Sequence, residues 1–326
     1  MKKLITGLMA GTLLMSGAAG AQAADALTLQ LKWVTQAQFA GYLVAEAKGF
    51  YDEEDLDLTI LPGGPNIAPE QVIAGGGADI IVTWMAAGMA ARESGVPLVN
   101  IAQPYKRSGL MMICPTETGI TSEADFPGHT LGVWFFGNEY PFFAWMNKLG
   151  LATDGSAGGV TVLQQSFDIQ PMIQGQADCI SVMTYNEFGQ ALQAGYGPEN
   201  LTIFNYTEMG NDLLEDGLYV MEDSLDDPAK VDAYTRFVKA SMKGWQYAMD
   251  HPEEAAQIVV DADETGGAEY DLQFYMVGEV SKLVDAFDPA LDMTTYERTV
   301  KALLDQGIIK AEPTGAYTSV VTDGLK

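Results

Sequence analysis

Four aromatic side chains and one carboxylate carry the chemistry that this sequence suggests. Trp33, Trp84 and Trp134 each stand at the end of a short apolar or alternating run, and Tyr185 follows another. Rings placed this way suit stacking on a planar ligand, worth about 0.5–1.5 kcal/mol per ring beyond area burial. The competing expectation for each is a large aromatic packed under a loop. Glu187 follows Thr184-Tyr185-Asn186 at a strand-to-helix turn. A carboxylate there accepts from the amine or amidine edge of a ligand, or it serves as an ordinary acid at a helix N-terminus, favoured by about 0.3–1 kcal/mol. Phe135-Phe136-Gly137-Asn138-Glu139 makes a similar turn. Phe136, Gly137 and Asn138 are candidate contacts there: glycine permits close backbone approach, and the amide both donates and accepts unless it is a plain N-cap.

Other chemistries find few residues. His129 and His251 lie far apart, in the surface-like contexts Pro127-Gly128-His129 and Asp250-His251-Pro252. Cys114 and Cys179 are too few for a thiolate metal site, and whether they pair stays open, because sequence does not give their separation in space. Gly75-Gly76-Gly77 lacks the spacing and the Lys-Ser/Thr of a phosphate loop. No catalytic residue, metal or cofactor is expected, and the chain is not read as an enzyme.

The elements that would position these residues alternate between strand and helix. Leu27, Leu29, Leu31 and Trp33 alternate with polar residues, a period-two strand. Phe39–Lys48 has helical spacing and stops at Gly49. Strands follow at 56–61, 79–84 and 98–102, with helices at 70–74 and 86–93 between them. The pattern restarts with strands at 109–114, 130–134, 160–163, 178–184 and 201–205, and helices at 139–149, 169–174 and 187–194. A further strand at 217–221 precedes a helical return at 231–249, 252–260, 270–284 and 294–304. Alternation of this kind implies mainly parallel sheets flanked by helices. The expected fold is α/β and two-lobed, with residues 24–108 and 218–326 in one lobe and 109–217 in the other. The chain crosses between them near Ser108 and Gly217, and ligand lies between the lobes at the strand C-termini.

The N-terminus sets the compartment. Lys2 and Lys3 precede a mostly apolar stretch, and Ala21-Gln22-Ala23 supplies a small-x-small cleavage pattern. The apolar run is too short to span a bilayer, which takes about 20 residues. Residues 1–23 are therefore a signal peptide, with a mature chain from Ala24 in the periplasm. The whole chain carries a formal charge of −27; without Lys2 and Lys3 it has 15 basic against 44 acidic side chains, or −29. Such a surface repels nucleic acid and anionic membrane and favours a soluble monomer.

Leu29-Gln30-Leu31-Lys32-Trp33, Gln38-Phe39-Ala40-Gly41-Tyr42 and Ala47-Lys48-Gly49-Phe50-Tyr51 resemble the opening of ABC-importer receptors related to the nitrate/taurine-binding and thiamine-pyrimidine-binding proteins. Gly76-Gly77-Ala78-Asp79, the stretch from Asp125 to Val133, and Gln174-Gly175-Gln176-Ala177-Asp178 resemble further motifs of that family. The resemblance implies a receptor that captures a planar N-heterocycle of pyrimidine type by lobe closure and delivers it to a permease and ATPase complex. It makes Trp33 the stacking residue, Glu187, beside Asn186, the acceptor for a pyrimidine amine, and Gln38 a further ligand contact. A flavin or another nucleobase-like ligand is the alternative. A sulfonate is disfavoured because the cleft turns read as lacking basic residues. The branch also includes a pyrimidine-forming enzyme that consumes its own active-site histidine and carries a cysteine-rich stretch. This sequence has no such stretch.

Overall fold

The computed structural model describes residues 24–326; the expected signal peptide at 1–23 lies outside them. In chain order the first elements are β1 (Asp25–Gln30), α1 (Ala40–Ala47), β2 (Leu56–Leu61), α2 (Pro69–Ala74), β3 (Ile80–Thr83), α3 (Met85–Glu93) and β4 (Leu98–Ala102). Next come β5 (Leu110–Pro115), β6 (Thr130–Val133), α4 (Tyr140–Leu149), β7 (Thr161–Gln164), α5 (Gln170–Ile173), β8 (Cys179–Met183), α6 (Glu187–Gln193) and β9 (Leu201–Asn205). The chain ends with β10 (Gly217–Met221), α7 (Pro228–Asp250), α8 (Pro252–Ala262), α9 (Tyr270–Val280), α10 (Met293–Asp305) and α11 (Val320–Asp323).

Two five-stranded sheets result, in the orders β2-β1-β3-β10-β4 and β7-β6-β8-β5-β9. Each is parallel apart from one strand: β10 runs against β3 and β4, and β5 runs against β8 and β9. The two exceptions are the strands that follow the crossings. Chain arriving from the other sheet meets its new sheet from the opposite end and cannot run parallel without a long detour. The strands β3, β4, β5 and β8 are wholly buried and almost wholly apolar, as coverage on both faces demands. The result is the two-lobed α/β architecture.

Local rules explain most boundaries. Asp227 caps α7 by accepting from the Ala229 N–H at 2.9 Å, and Pro228 occupies the first turn, where a missing donor costs nothing. The first strand stops earlier than alternation predicts, at Gln30 rather than Trp33. The regular register with its partner β2 ends at the Gln30–Leu61 pair, where β2 runs into Pro62-Gly63-Gly64. Only the Gly63 N–H reaches back, to the Trp33 carbonyl at 2.9 Å. A Cβ on Gly63 would lie 2.4 Å from the Leu31 carbonyl oxygen, so this approach requires glycine. The helix expected to reach Val284 ends at Val280.

Cys114 and Cys179 form a disulfide between the neighbouring antiparallel strands β5 and β8, both fully buried. The pairing left open by the sequence is thereby settled: adjacent strands bring together residues 65 positions apart. Closing a loop of that length removes about 4 kcal/mol of unfolded-chain entropy. The double variant Cys114→Ala/Cys179→Ala is expected to melt roughly 10 °C lower; an unchanged midpoint in thermal denaturation contradicts this.

Candidate functional site

Four strand-to-helix connections meet between the sheets, all at the C-terminal ends of parallel strands, where an open α/β sheet offers its binding edge. From the first lobe come the segment after β1 (Lys32, Trp33, Gln36, Gln38) and Trp84, between β3 and α3. From the second come Trp134 and Asn138, between β6 and α4, and Met183, Tyr185 and Glu187, around the β8–α6 turn. Together they line a cleft with a cavity volume of about 20 Å³. The cleft is narrow. Trp33 and Trp134 meet edge to face, with centroids 6.1 Å apart and planes at 68°. No ring lies parallel to both in this arrangement, so a sandwiched ligand requires the lobes to part and the rings to turn.

Seven of the expected contacts line this cleft: Trp33, Gln38, Trp84, Trp134, Asn138, Tyr185 and Glu187. Asn186 stands directly behind it. Phe136 does not line it. Its backbone is left-handed (φ 59°) within a turn closed by Asn138 Nδ2 donating to the Phe135 carbonyl at 2.7 Å, and its ring is 41% exposed. Asn138 is thus the clasp of that turn; the residue preceding α4 is Glu139. Gly137 serves a different neighbour from the one expected. A Cβ there would stand 2.7 Å from the Ala87 Cβ of α3, across the cleft, so this glycine lets lobe pack on lobe.

Sequence reasoning missed Lys32, Gln36, Met183 and Asp216. Lys32 occupies an alternate position in a period-two run and so reads as outward-facing. Because β1 stops at Gln30, the alternation no longer holds there, and Lys32 is 3% exposed within the cleft. The reading that the cleft turns lack basic residues is corrected by its position. The histidines lie elsewhere: His129 Nδ1 sits 3.1 Å from Asp178, and His251 packs against Tyr247 between α7 and α8.

Glu187 is 1% exposed. Its carboxylate accepts from the Met183 N–H at 3.0 Å and from Asn186 Nδ2 at 2.9 Å, bracing the turn as well as facing the cleft. Burial pushes its pKa up to about 7, against the hydrogen bond from Met183. Asn186 Nδ2 also donates across the lobes to Gln36 Oε1 at 3.0 Å. Gln36 Nε2 donates to Gln38 Oε1 at 2.7 Å, and Gln38 Nε2 to Asp216 Oδ2 at 2.6 Å. An unbroken polar row therefore runs from Glu187 to the second crossing. There Glu215 ties the crossings together: Ser108 Oγ and the Gly109 N–H donate to its Oε1, and Gln103 Nε2 donates to its backbone carbonyl at 2.6 Å. Burial pushes Glu215 up to about 8 and Asp216 up to about 6; Gln38 and the charge of Lys32 hold the latter down.

These shifts fix a pH dependence. A carboxyl whose folded pKa exceeds its unfolded value holds its proton more tightly when folded, so stability falls as pH rises from the unfolded towards the folded pKa, by about 1.4 kcal/mol per unit of difference. For Glu215 that window is about pH 4.5 to 8. The ligand-free protein is expected to melt higher at pH 5 than at pH 8, and Glu215→Gln, neutral throughout, to flatten the dependence. An identical slope in the variant contradicts the assignment.

A family profile described as NMT1/THI5 like matches residues 36–255. The formylaminopyrimidine-binding protein of Halalkalibacterium halodurans is 23% identical over 248 residues, 73% of this chain and 71% of that protein. The riboflavin-binding protein RibY of Chloroflexus aurantiacus is 26% identical over 242 residues, 70% of this chain and 64% of that one. A 4-amino-5-hydroxymethyl-2-methylpyrimidine phosphate synthase of Legionella pneumophila is 34% identical over 107 residues, which is 32% of this chain and 34% of the enzyme. The structure of the periplasmic aliphatic sulphonate binding protein SsuA from Escherichia coli superposes with a TM-score of 0.66 at 12% identity, covering 88% of this chain and 89% of that one. The chain belongs to the NMT1/THI5-like family, and its fold is that of the periplasmic binding proteins.

Proposed function

We propose that this protein is the periplasmic receptor of an ABC importer and that its ligand is a planar amino-heterocycle of pyrimidine type. The observation that carries the reading is the cleft itself. Three tryptophans and a tyrosine from both lobes surround one buried carboxyl, that of Glu187. Flat rings supply area and stacking, and the carboxyl supplies an acceptor for an exocyclic amine. We take residues 24–108 with 218–326 as one lobe and 109–217 as the other, with a hinge at the crossings that Glu215 joins. Capture then proceeds by lobe closure, and the loaded receptor presents its ligand to the permease.

The formylaminopyrimidine-binding relative supports a pyrimidine, and the riboflavin-binding relative keeps a flavin or other nucleobase-like ligand as the second reading. A sulfonate ranks below these: among the cleft-lining residues Lys32 is the single basic side chain against an aromatic wall. A pyrimidine-forming enzyme ranks last. The match to the synthase spans under a third of the chain, and neither histidine lines the cleft. The buried disulfide supports export, because such bonds persist in oxidising compartments.

The test compares 4-aminopyrimidine with pyrimidine by calorimetry in wild type and Glu187→Gln. A hydrogen bond to a charged group contributes about 1.5–3 kcal/mol. The wild type is expected to prefer the amine by about tenfold or more, and the variant to lose most of that preference. The ratio of affinities is the readout, so general loosening of the Met183–Glu187 turn cancels. Equal losses for both ligands show that Glu187 only braces its own helix.

A further inference from the structure

Lys32 has a task that no neighbouring side chain explains. It is 3% exposed, lines the cleft between Trp33 and Trp84, and holds its Nζ 5.3 Å from the centre of the Trp84 ring. Among the described residues its Nζ has no hydrogen-bond partner, and neither has the indole Nε1 of Trp84. Asp216 lies close enough for the Lys32 charge to act on it, but one of its oxygens is taken by Gln38 and neither bonds Lys32. Buried donors without acceptors are strongly disfavoured in a protein interior, and a charged one most of all. Lys32 Nζ is thus left without an acceptor at the cleft, into which Glu187 presents its carboxyl, while the indole N–H of Trp84 lies towards Asp216, whose Oδ1 is likewise unpartnered.

We infer that Lys32 recognises an uncharged exocyclic oxygen, so that the receptor selects heterocycles carrying both an oxo group and an amine. The oxygen sits towards Lys32 and the N–H edge towards Glu187. An anionic group suits the site less well. Asp216, buried like Glu187 and Glu215, already lies within reach of the Lys32 charge, and among the described residues no second basic side chain lines the cleft. A ring carbonyl gives Lys32 an acceptor without adding charge. The aromatic faces of the wall offer no such donor, which makes Lys32 a specificity-determining residue.

This inference rests on the heterocycle reading above, and the experiment separates the two. Affinities of the mature protein, Lys32→Met and Lys32→Gln are measured by calorimetry for cytosine, which carries amine and oxo groups, for 4-aminopyrimidine, which lacks the oxygen, and for ethanesulfonate. The wild type is expected to bind cytosine about tenfold or more tighter than 4-aminopyrimidine. Lys32→Met is expected to bring the two within about twofold by weakening cytosine alone, and Lys32→Gln, which keeps an N–H donor, to retain part of the preference. If 4-aminopyrimidine binds but the wild type shows no preference, or if the preference survives in Lys32→Met, the oxo inference falls and the heterocycle reading stands. Lowered melting temperature with unchanged relative affinities assigns Lys32 a structural part and likewise overturns it. Failure of both pyrimidines overturns the two together, and ethanesulfonate binding that Lys32→Met abolishes makes the site an anion site.

Discussion

The hydrogen bond from Asn186 to Gln36 holds the two lobes in register across the cleft. It is buried and flanked on each side by further bonds, so it is one link in a row from Glu187 to Asp216. Buried polar groups are tolerated when partnered, and Asn186 Nδ2 and Gln36 Oε1 partner each other only while the lobes are together. Parting them breaks the Asn186–Gln36 link and exposes amides that water can then serve. The same row ends one residue from Glu215, whose carboxyl joins the two crossings. The ligand cleft and the hinge thus share one continuous set of polar contacts. Whatever occupies the cleft bears directly on the geometry of the crossings.

That arrangement depends on small details of backbone. Gly137, at φ 93°, lets the second lobe's turn approach Ala87 of the first. Within the first lobe, α1 and α7 come together because Gly244 faces the Gly41 carbonyl, where a Cβ would stand 2.0 Å from the oxygen. Both contacts exclude any larger side chain. The disulfide joins β5 and β8 in the second sheet, so that the proposed closure would move whole lobes about the crossings rather than distort one of them.

Much of this was legible in the sequence because it follows from local rules. Alternation of apolar runs with helical spacing predicts the α/β order, and the break at Gly109 with the return at Gly217 predicts two sheets. Trp84, Trp134, Tyr185 and Glu187 were found because each stands just past a strand, where the fold puts its binding edge. What escaped depends on events far apart in sequence. Lys32 lies inward where β1 leaves its regular register with β2, after the Gln30–Leu61 pair. Phe136 turned outward because Asn138 closes its loop. Asp216 enters the site because the second crossing passes beneath Gln38, a contact spanning 178 positions. Periodicity gives no sign of any of these, and the pairing of Cys114 with Cys179 likewise needed the order of strands within the sheet.

Closure of the two lobes over a planar ligand, as proposed, would set Gly137 against Ala87 in the closed state. Small-angle scattering of the wild type and of Gly137→Val, each with and without saturating cytosine, tests it most directly. The valine would occupy space already filled by Ala87. A radius of gyration that falls with ligand in the wild type, and a reduced or absent fall in Gly137→Val together with weaker binding, is the predicted result. No ligand-dependent change in the wild type at demonstrated saturation, or full contraction of the valine variant with unaltered affinity, contradicts the account.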